Sequence, residues 1–304
     1  MRFLARRLFA TVITLLVVTL VVFFLSRMGG DPRLVLLSDD ATQEQWDSFG
    51  EAHGLDKPVV VQYWIYTKKI VRGDLGNSTL QRRPVREILW ERIPNSFHLA
   101  MTAFAFSLIV GIPLGVLAAT RRGGWWDYGV RAAAVFGDSM PAFWVALMLM
   151  FVFAVQLEWV PVARNHGWES FILPTVVLGW GAAAGQIRLL RSSLLEVFGS
   201  EYVTLARAKG VSERKIIWKH AMRNALIAPI TAAGLTLAGV ITGAIIVETI
   251  FSWPGLGGLA IEAVNNSDYA VLQGVMILIT VMYVMANLVV DLLYVMIDPR
   301  IRLG

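Results

Sequence analysis

Six apolar runs, each close to the length that crosses a bilayer, decide what this chain can fold into. They lie at about residues 8–25, 97–119, 132–157, 171–190, 226–251 and 271–297. A helix needs roughly 20 apolar residues, at about 1.5 Å rise each, to cross a hydrocarbon core ~30 Å thick. Within lipid only helices and closed barrels satisfy every backbone N–H and C=O. The expected fold class is therefore all-α, a polytopic membrane helical bundle of six transmembrane helices. Composition points the same way: 56% of the 304 residues are hydrophobic and 16% are charged, a balance foreign to soluble domains.

The placement of charge sets orientation. The formal net charge is +5, but Lys and Arg gather in the loops between apolar runs, where they bias those loops to the cytoplasm. With the N-terminus inside, cytoplasmic segments carry Arg2, Arg6 and Arg7, then Arg121, Arg122 and Arg131, then the basic stretch after Gln186, and finally Arg300 and Arg302. The short outer loops carry only Arg164. Both termini are expected in the cytoplasm, and the basic balance calls for no nucleic-acid partner. The first run is too long for a signal core and no small-x-small cleavage site follows it, so it reads as a retained anchor. The expected divisions are an N-terminal transmembrane helix at 1–26, an extracytoplasmic loop with helices at 27–96, and a transmembrane core at 97–304 with a cytoplasmic loop at about 192–223.

In the outer loop, residues 42–55 read as an amphipathic helix ending at Gly54. Residues 59–71 read as a second helix that lays Tyr63, Trp64 and Tyr66 at headgroup level. Gly73 to Ser78 then turn the chain.

Several spans are interrupted. Pro113 sits in the second, and Asp138 with Pro141 in the third. Intramembrane carboxylates are costly and face a bundle interior or a wet cavity, so Asp138 is a functional candidate, with a structural hydrogen-bonding role as the alternative. In the fifth span Ala232, Ala233, Gly234, Gly239, Thr242, Gly243 and Ala244 allow close helix packing or a passage. Near its outer end Glu248 stands in an apolar context, and Pro254 with three glycines suggests a tight re-entrant turn, either a gate or a simple helix contact.

The chain's most unusual loop joins the fourth and fifth runs. Residues 201–210 read as a short helix stopped by Gly210, after which Ser212 is placed to cap a second helix. Glu213 at the start of that helix, with Lys215, Lys219 and Arg223 further along, follows the helix dipole. Ile216, Ile217 and Trp218 are apolar residues on a solvent-facing element, which implies a partner.

Catalytic chemistry finds no foothold. The chain has no Cys, and its His residues (His53, His98, His166, His220) lack metal-ligand spacing. It contains no phosphate-binding Gly-x-x-x-x-Gly-Lys-Ser/Thr loop, no His-Glu-x-x-His and no Gly-x-Ser-x-Gly, so neither a catalytic nor a metal-binding residue is assigned.

The run Ala206-Arg-Ala-Lys-Gly-Val-Ser-Glu213 resembles the cytoplasmic coupling loop of ATP-binding-cassette (ABC) importer permeases, in the form used by the dipeptide, oligopeptide and nickel permease family. Further runs are similar to the same family: Gly54-Leu-Asp-Lys-Pro58, Gly73-Asp-Leu-Gly76 and Arg83-Pro-Val85 outside, and Asp138-Ser-Met-Pro-Ala-Phe-Trp144. So are Glu248-Thr-Ile-Phe-Ser-Trp-Pro-Gly-Leu-Gly257 and the closing Asp298-Pro-Arg-Ile-Arg302. Against the general coupling-loop consensus, only Ala206 and Gly210 match strictly.

The resemblance implies a type I importer permease fold in the bacterial cytoplasmic (inner) membrane. It implies that Tyr202, Thr204, Ala206, Arg207, Ala208, Lys209, Gly210, Val211 and Ser212 dock an ATPase. Asp138, Pro141, Gly239, Gly243, Glu248 and Pro254 are the pore or gate candidates. The implied partners are a second homologous permease, two ABC ATPase subunits, an extracytoplasmic substrate-binding protein and membrane lipid. The chain itself would bind no cofactor, ATP and Mg belonging to the ATPases. The expected cargo is di- or oligopeptides, with nickel or a metal chelate as the alternative. An ion-coupled secondary transporter and a passive scaffold are the readings from other classes.

Overall fold

The computed structural model describes residues 2–28, 33, 37, 41–161 and 167–297. Residues 298–302, Arg164, His166 and the Gly30-Asp31-Pro32 segment lie outside that set. Regular structure among the described residues is helical, and extended pairing is confined to one isolated bridge, Asn77 with Pro84. The chain divides into two compact units, residues 1–95 with 254–284, and residues 96–253 with 285–304.

In the first unit α1 (Arg2–Met28) carries an apolar stretch at Phe9–Leu25. Helix α2 (Gln43–His53) begins with a reciprocal cap: Gln45 N–H donates to Thr42 Oγ1 at 3.3 Å and Thr42 N–H to Gln45 Oε1 at 2.9 Å. It ends at Gly54 as the sequence predicts. Helix α3 (Val59–Val71) packs on α1 through two of the three aromatics singled out in the sequence. Tyr63 and Tyr66, one turn apart, face α1 and flank Phe23 at 5.6 and 5.4 Å between ring centres, with Tyr63 Oη 3.0 Å from Thr19 Oγ1. Only Trp64, on the opposite side of the helix, stays largely exposed at 67%. Helical spacing decides which of these aromatics meet α1.

The turn at residues 73–78 is built on two glycines in the left-handed region, Gly73 (φ 77°) and Gly76 (φ 79°). From there α4 (Val85–Thr120) runs 36 residues, roughly 54 Å at helical rise. Its first turns pack Val85, Ile88 and Leu89 against α12 (Leu256–Asn265) and the start of α13 (Tyr269–Ile297). A Cβ at Gly274 would lie 2.7 Å from Val85 Cγ1, so this contact requires glycine. Asp268 fastens the 73–78 turn: it accepts from Ser78 Oγ and from Leu80 N–H at 3.3 Å, and it caps α13 through Val271 N–H at 3.2 Å.

The second unit is built around α7 (Ile172–Phe198), which packs against α5 (Trp125–Ser139), α6 (Ala142–Leu149) and α11 (Ile227–Ile250). Glycines set its approach to α4. A Cβ at Gly179 would meet Ala103 O at 2.7 Å, and one at Gly111 would meet Gln186 Cβ at 2.9 Å. Close backbone approach through small residues is the expected way to hold helices where lipid supplies no hydrophobic drive.

The third expected span is not one straight helix. Helix α5 ends at Ser139, Met140 turns extended (ψ 132°), and α6 restarts after Pro141 at an angle of 107°. The residue before proline is driven out of the helical region, which places the bend at this point. Helix α6 then passes into a π-helical stretch, Met150–Gln156.

Four helices (α4, α7 with its preceding turn, α11 and α13) are long and apolar enough to cross a membrane, and the bent pair makes a fifth. With the apolar stretch of α1 this is consistent with six spans. The Pro-Gly segment after α11 also differs from expectation. Its glycines take no left-handed conformation; Ser252 (φ 48°) makes the turn and Gly255 starts α12.

Candidate functional site

The loop between α7 and α11 folds into an ordered elbow. Helix α8 (Glu201–Ala208) is seated by Val203, which is fully buried, and is closed by Gly210 at φ 75°, where a Cβ would meet open space. That conformation costs an L side chain roughly 1–2 kcal/mol, so the stop predicted at Gly210 has a backbone cause. Helix α9 (Glu213–Lys215), a π-helical stretch (Ile216–Ala221) and α10 (Met222–Ala225) return the chain to the bundle.

An ion pair spans the turn: Arg207 Nε donates to Glu213 Oε1 at 2.7 Å and Nη2 to Oε2 at 3.3 Å. The Arg207 hydrogen bonds hold the Glu213 carboxyl below its ordinary pKa. Ser212 stands at the cap position but its side chain makes no capping bond. The elbow is thus held by Arg207 where a serine cap was expected.

What the elbow presents outward is mixed. Tyr202, Leu205, Lys209 and Gly210 are exposed, and Ala206 is half-exposed between them. Thr204, Ala208 and Ser212 are exposed and Val211 is half-buried. Leu205 was not among the sequence candidates, although its position one turn beyond Tyr202 puts both on one face. Tyr202 Oη accepts from Asn224 Nδ2 at 2.8 Å, tying α8 to the returning limb. Of the apolar residues that implied a partner, Ile216 is wholly buried within the chain and Trp218 remains 57% exposed.

Beneath the elbow two ion pairs join α7 to α5. Arg191 grips Asp127 with both carboxylate oxygens, Nε to Oδ1 at 2.7 Å and Nη2 to Oδ2 at 2.8 Å, and Gly123 N–H adds a third bond at 3.0 Å. Asp127 is 1% exposed. One turn along α7, Arg188 Nη2 meets Asp138 Oδ2 at 3.0 Å, at the bend between α5 and α6. Both these side chains are about half exposed, 44% and 55%. The sequence singled out Asp138 and Pro141 but not the partner arginine, and it missed Asp127–Arg191 because neither residue lies within an apolar run.

The remaining candidates separate. Along α11, Leu235, Gly239, Thr242, Ile246 and Thr249 form an exposed stripe, and no atom lies within 4 Å of a Cβ built on Gly239. Gly243 lies off that stripe, against Leu178 at 3.4 Å. Glu248 is buried (1% exposed) and accepts from Ser96 Oγ at 2.6 Å, while its backbone carbonyl accepts Trp253 N–H at 2.7 Å. Trp253 is buried edge-on against Phe171, ring centres 4.5 Å apart. In the first unit, Pro254 O accepts from Asn95 Nδ2 at 2.9 Å. Within the second unit, Glu248 and Trp253 are thus both buried and hydrogen-bonded.

Residues 111–303 match the family described as binding-protein-dependent transport system inner membrane component, and residues 1–100 match its N-terminal counterpart. The chain belongs to this family. It is 37% identical, over 99% of both chains, to the glutathione transport system permease proteins of Salmonella choleraesuis (strain SC-B67) and Escherichia coli (strain K12).

The fold of the MetNI methionine ABC transporter in an inward-facing conformation is similar at a TM-score of 0.60, with 19% identity over 69% of this chain and 96% of that one. An amino acid ABC transporter gives 0.55, with 14% identity over 68% and 93%.

The protein is therefore an ABC importer permease of the peptide and nickel type, a multi-pass inner-membrane protein and not an enzyme. ATP is hydrolysed by separate subunits, and the family works with ATPase and substrate-binding partners.

Proposed function

We propose that this chain forms half of the membrane passage of a peptide importer, beside a second homologous permease, and that its elbow is the surface on which one of two ATPase subunits docks. The observation that carries this reading is the elbow itself: a short helix with Tyr202, Leu205, Ala206 and Lys209 facing outward, stopped at Gly210 and clamped by Arg207 and Glu213. A rigid, exposed element can transmit force, which a loop serving only topology has no need to do. ATP and Mg are held by the ATPases. Their closure moves the elbow as a lever, a bistable rotation biased from a distance, and turns the permease pair outward to receive cargo from the binding protein. N- and C-termini lie in the cytoplasm.

A peptide cargo is supported by the relatives described as glutathione permeases, glutathione being a tripeptide. The half-exposed Arg188–Asp138 pair and the open face at Gly239 and Thr242 suit a zwitterionic molecule better than a hydrophobic one. The test is uptake into vesicles holding the complete transporter and its binding protein. ATP-dependent accumulation of labelled glutathione or dipeptide supports the reading. Nickel or chelate uptake assigns the alternative cargo, and uptake driven by an ion gradient without ATP overturns it.

A further inference from the structure

The returning limb of the elbow carries a groove of about 840 Å³ whose lining includes Arg214, Lys215, Trp218, Lys219, Arg223 and Leu226. All four cations are exposed, and none is in an ion pair among the described residues. The limb's one acidic residue, Glu213, is already engaged by Arg207. The groove therefore holds four uncompensated positive charges.

Its position says what they meet. Leu226 immediately precedes the spanning helix α11, which begins at Ile227. At about 1.5 Å per residue Arg223 lies ~6 Å along the chain from that start, within the polar layer of ~5–7 Å on each face of a bilayer, and Lys219 lies ~12 Å from it, beyond that layer by about the reach of its own side chain. Trp218, 57% exposed, stands beside them, and an exposed tryptophan is favoured at headgroup level.

We infer that this groove is a binding site for an anionic phospholipid of the cytoplasmic leaflet, its phosphate held by Lys219 and Arg223 and its acyl chain laid along Leu226. Arg214 and Lys215 form the outer rim and receive the headgroup's remaining charge. Basic pockets at the cytoplasmic ends of membrane helices recognise anionic headgroups in this way. The site is separate from the docking face of α8 and needs no knowledge of the cargo.

The purified full chain in discs of neutral phosphatidylcholine is exposed to a photoactivatable phosphatidylglycerol, and labelled peptides are mapped. Label is expected in the peptide containing residues 214–226, displaced by unlabelled phosphatidylglycerol but not by phosphatidylcholine or inorganic phosphate. Replacing Arg214, Lys215, Lys219 and Arg223 by Gln is expected to lower that labelling at least tenfold, while exchanging Lys219 and Arg223 for each other's residue type retains it. Label elsewhere, or label indifferent to headgroup charge, overturns the site. So does displacement by inorganic phosphate alone, which assigns the groove to a soluble anion. Should the Gln variant instead lose copurifying ATPase with lipid labelling unchanged, the groove belongs to the ATPase contact and the inference fails.

Discussion

At the scale of single residues, backbone conformation and charge pairing give sharper expectations than residue type. Gly210 sits at φ 75° and a Cβ built there meets no atom within 4 Å, so Gly210→Val acts chiefly by straining the backbone, and a β-branched residue tolerates that region worst. ATPase copurification is expected to fall severalfold for Val and to be largely kept by Asn, which enters the left-handed region more readily. Equal retention by both would remove the backbone argument.

The Arg207–Glu213 clamp has a clear pH signature. A carboxyl whose pKa is lowered on folding stabilises above its unfolded pKa and loses that contribution as pH falls through the folded value. Docking is thus expected to be flat between about pH 6 and 8 and to weaken only in acid, below the ordinary glutamate pKa of about 4.3. A midpoint near neutrality in an ATPase-binding titration would point to another group. For Arg188 and Asp138, exchanging the two residues keeps an ion pair but reverses its polarity. If the pair contacts cargo, the exchange is expected to restore assembly and not uptake, whereas full uptake would make it a fastening alone.

At the scale of elements, the Asp127–Arg191 pair joins α5 to α7 through two hydrogen bonds to a buried carboxylate. Breaking a buried pair leaves one charge uncompensated, at a cost of about 3–5 kcal/mol, while replacing both partners by apolar residues is often neutral. Asp127→Leu and Arg191→Leu are each expected to lower the melting temperature in detergent markedly, and the double variant to recover most of the loss. Additive losses would contradict the pairing account.

Helix α11 was legible to within a few residues because its apolar run ends at clear punctuation, the basic elbow on one side and Pro254 on the other, and the start of α13 is marked by Asp268. The bend after Met140 was legible as an interruption, since Pro141 is visible, but its 107° angle depends on how α5 and α6 pack on α7. Helix α12 was hidden by its glycines, which read as a turn yet serve a buried helix start. Partners such as Arg188 for Asp138 and Ser96 for Glu248 lie far apart in sequence, and no local periodicity announces them.

At the scale of the whole molecule, the proposed function joins topology to energy coupling. The chain has no native cysteine, so single cysteines report accessibility cleanly. Gly123→Cys is expected to be labelled by an impermeant reagent only from the cytoplasmic side, and Asn266→Cys only from the outside; the reverse pattern would invert the orientation. The central claim, that the elbow is the ATPase-docking surface, is tested most directly by copurification of the ATPase with Ala206→Glu, which sets a charge in the middle of the exposed α8 face. The expected result is a loss of bound ATPase of at least tenfold, with the permease still monodisperse and its melting temperature unchanged. Undiminished copurification together with undiminished cargo-stimulated ATP hydrolysis would contradict the account.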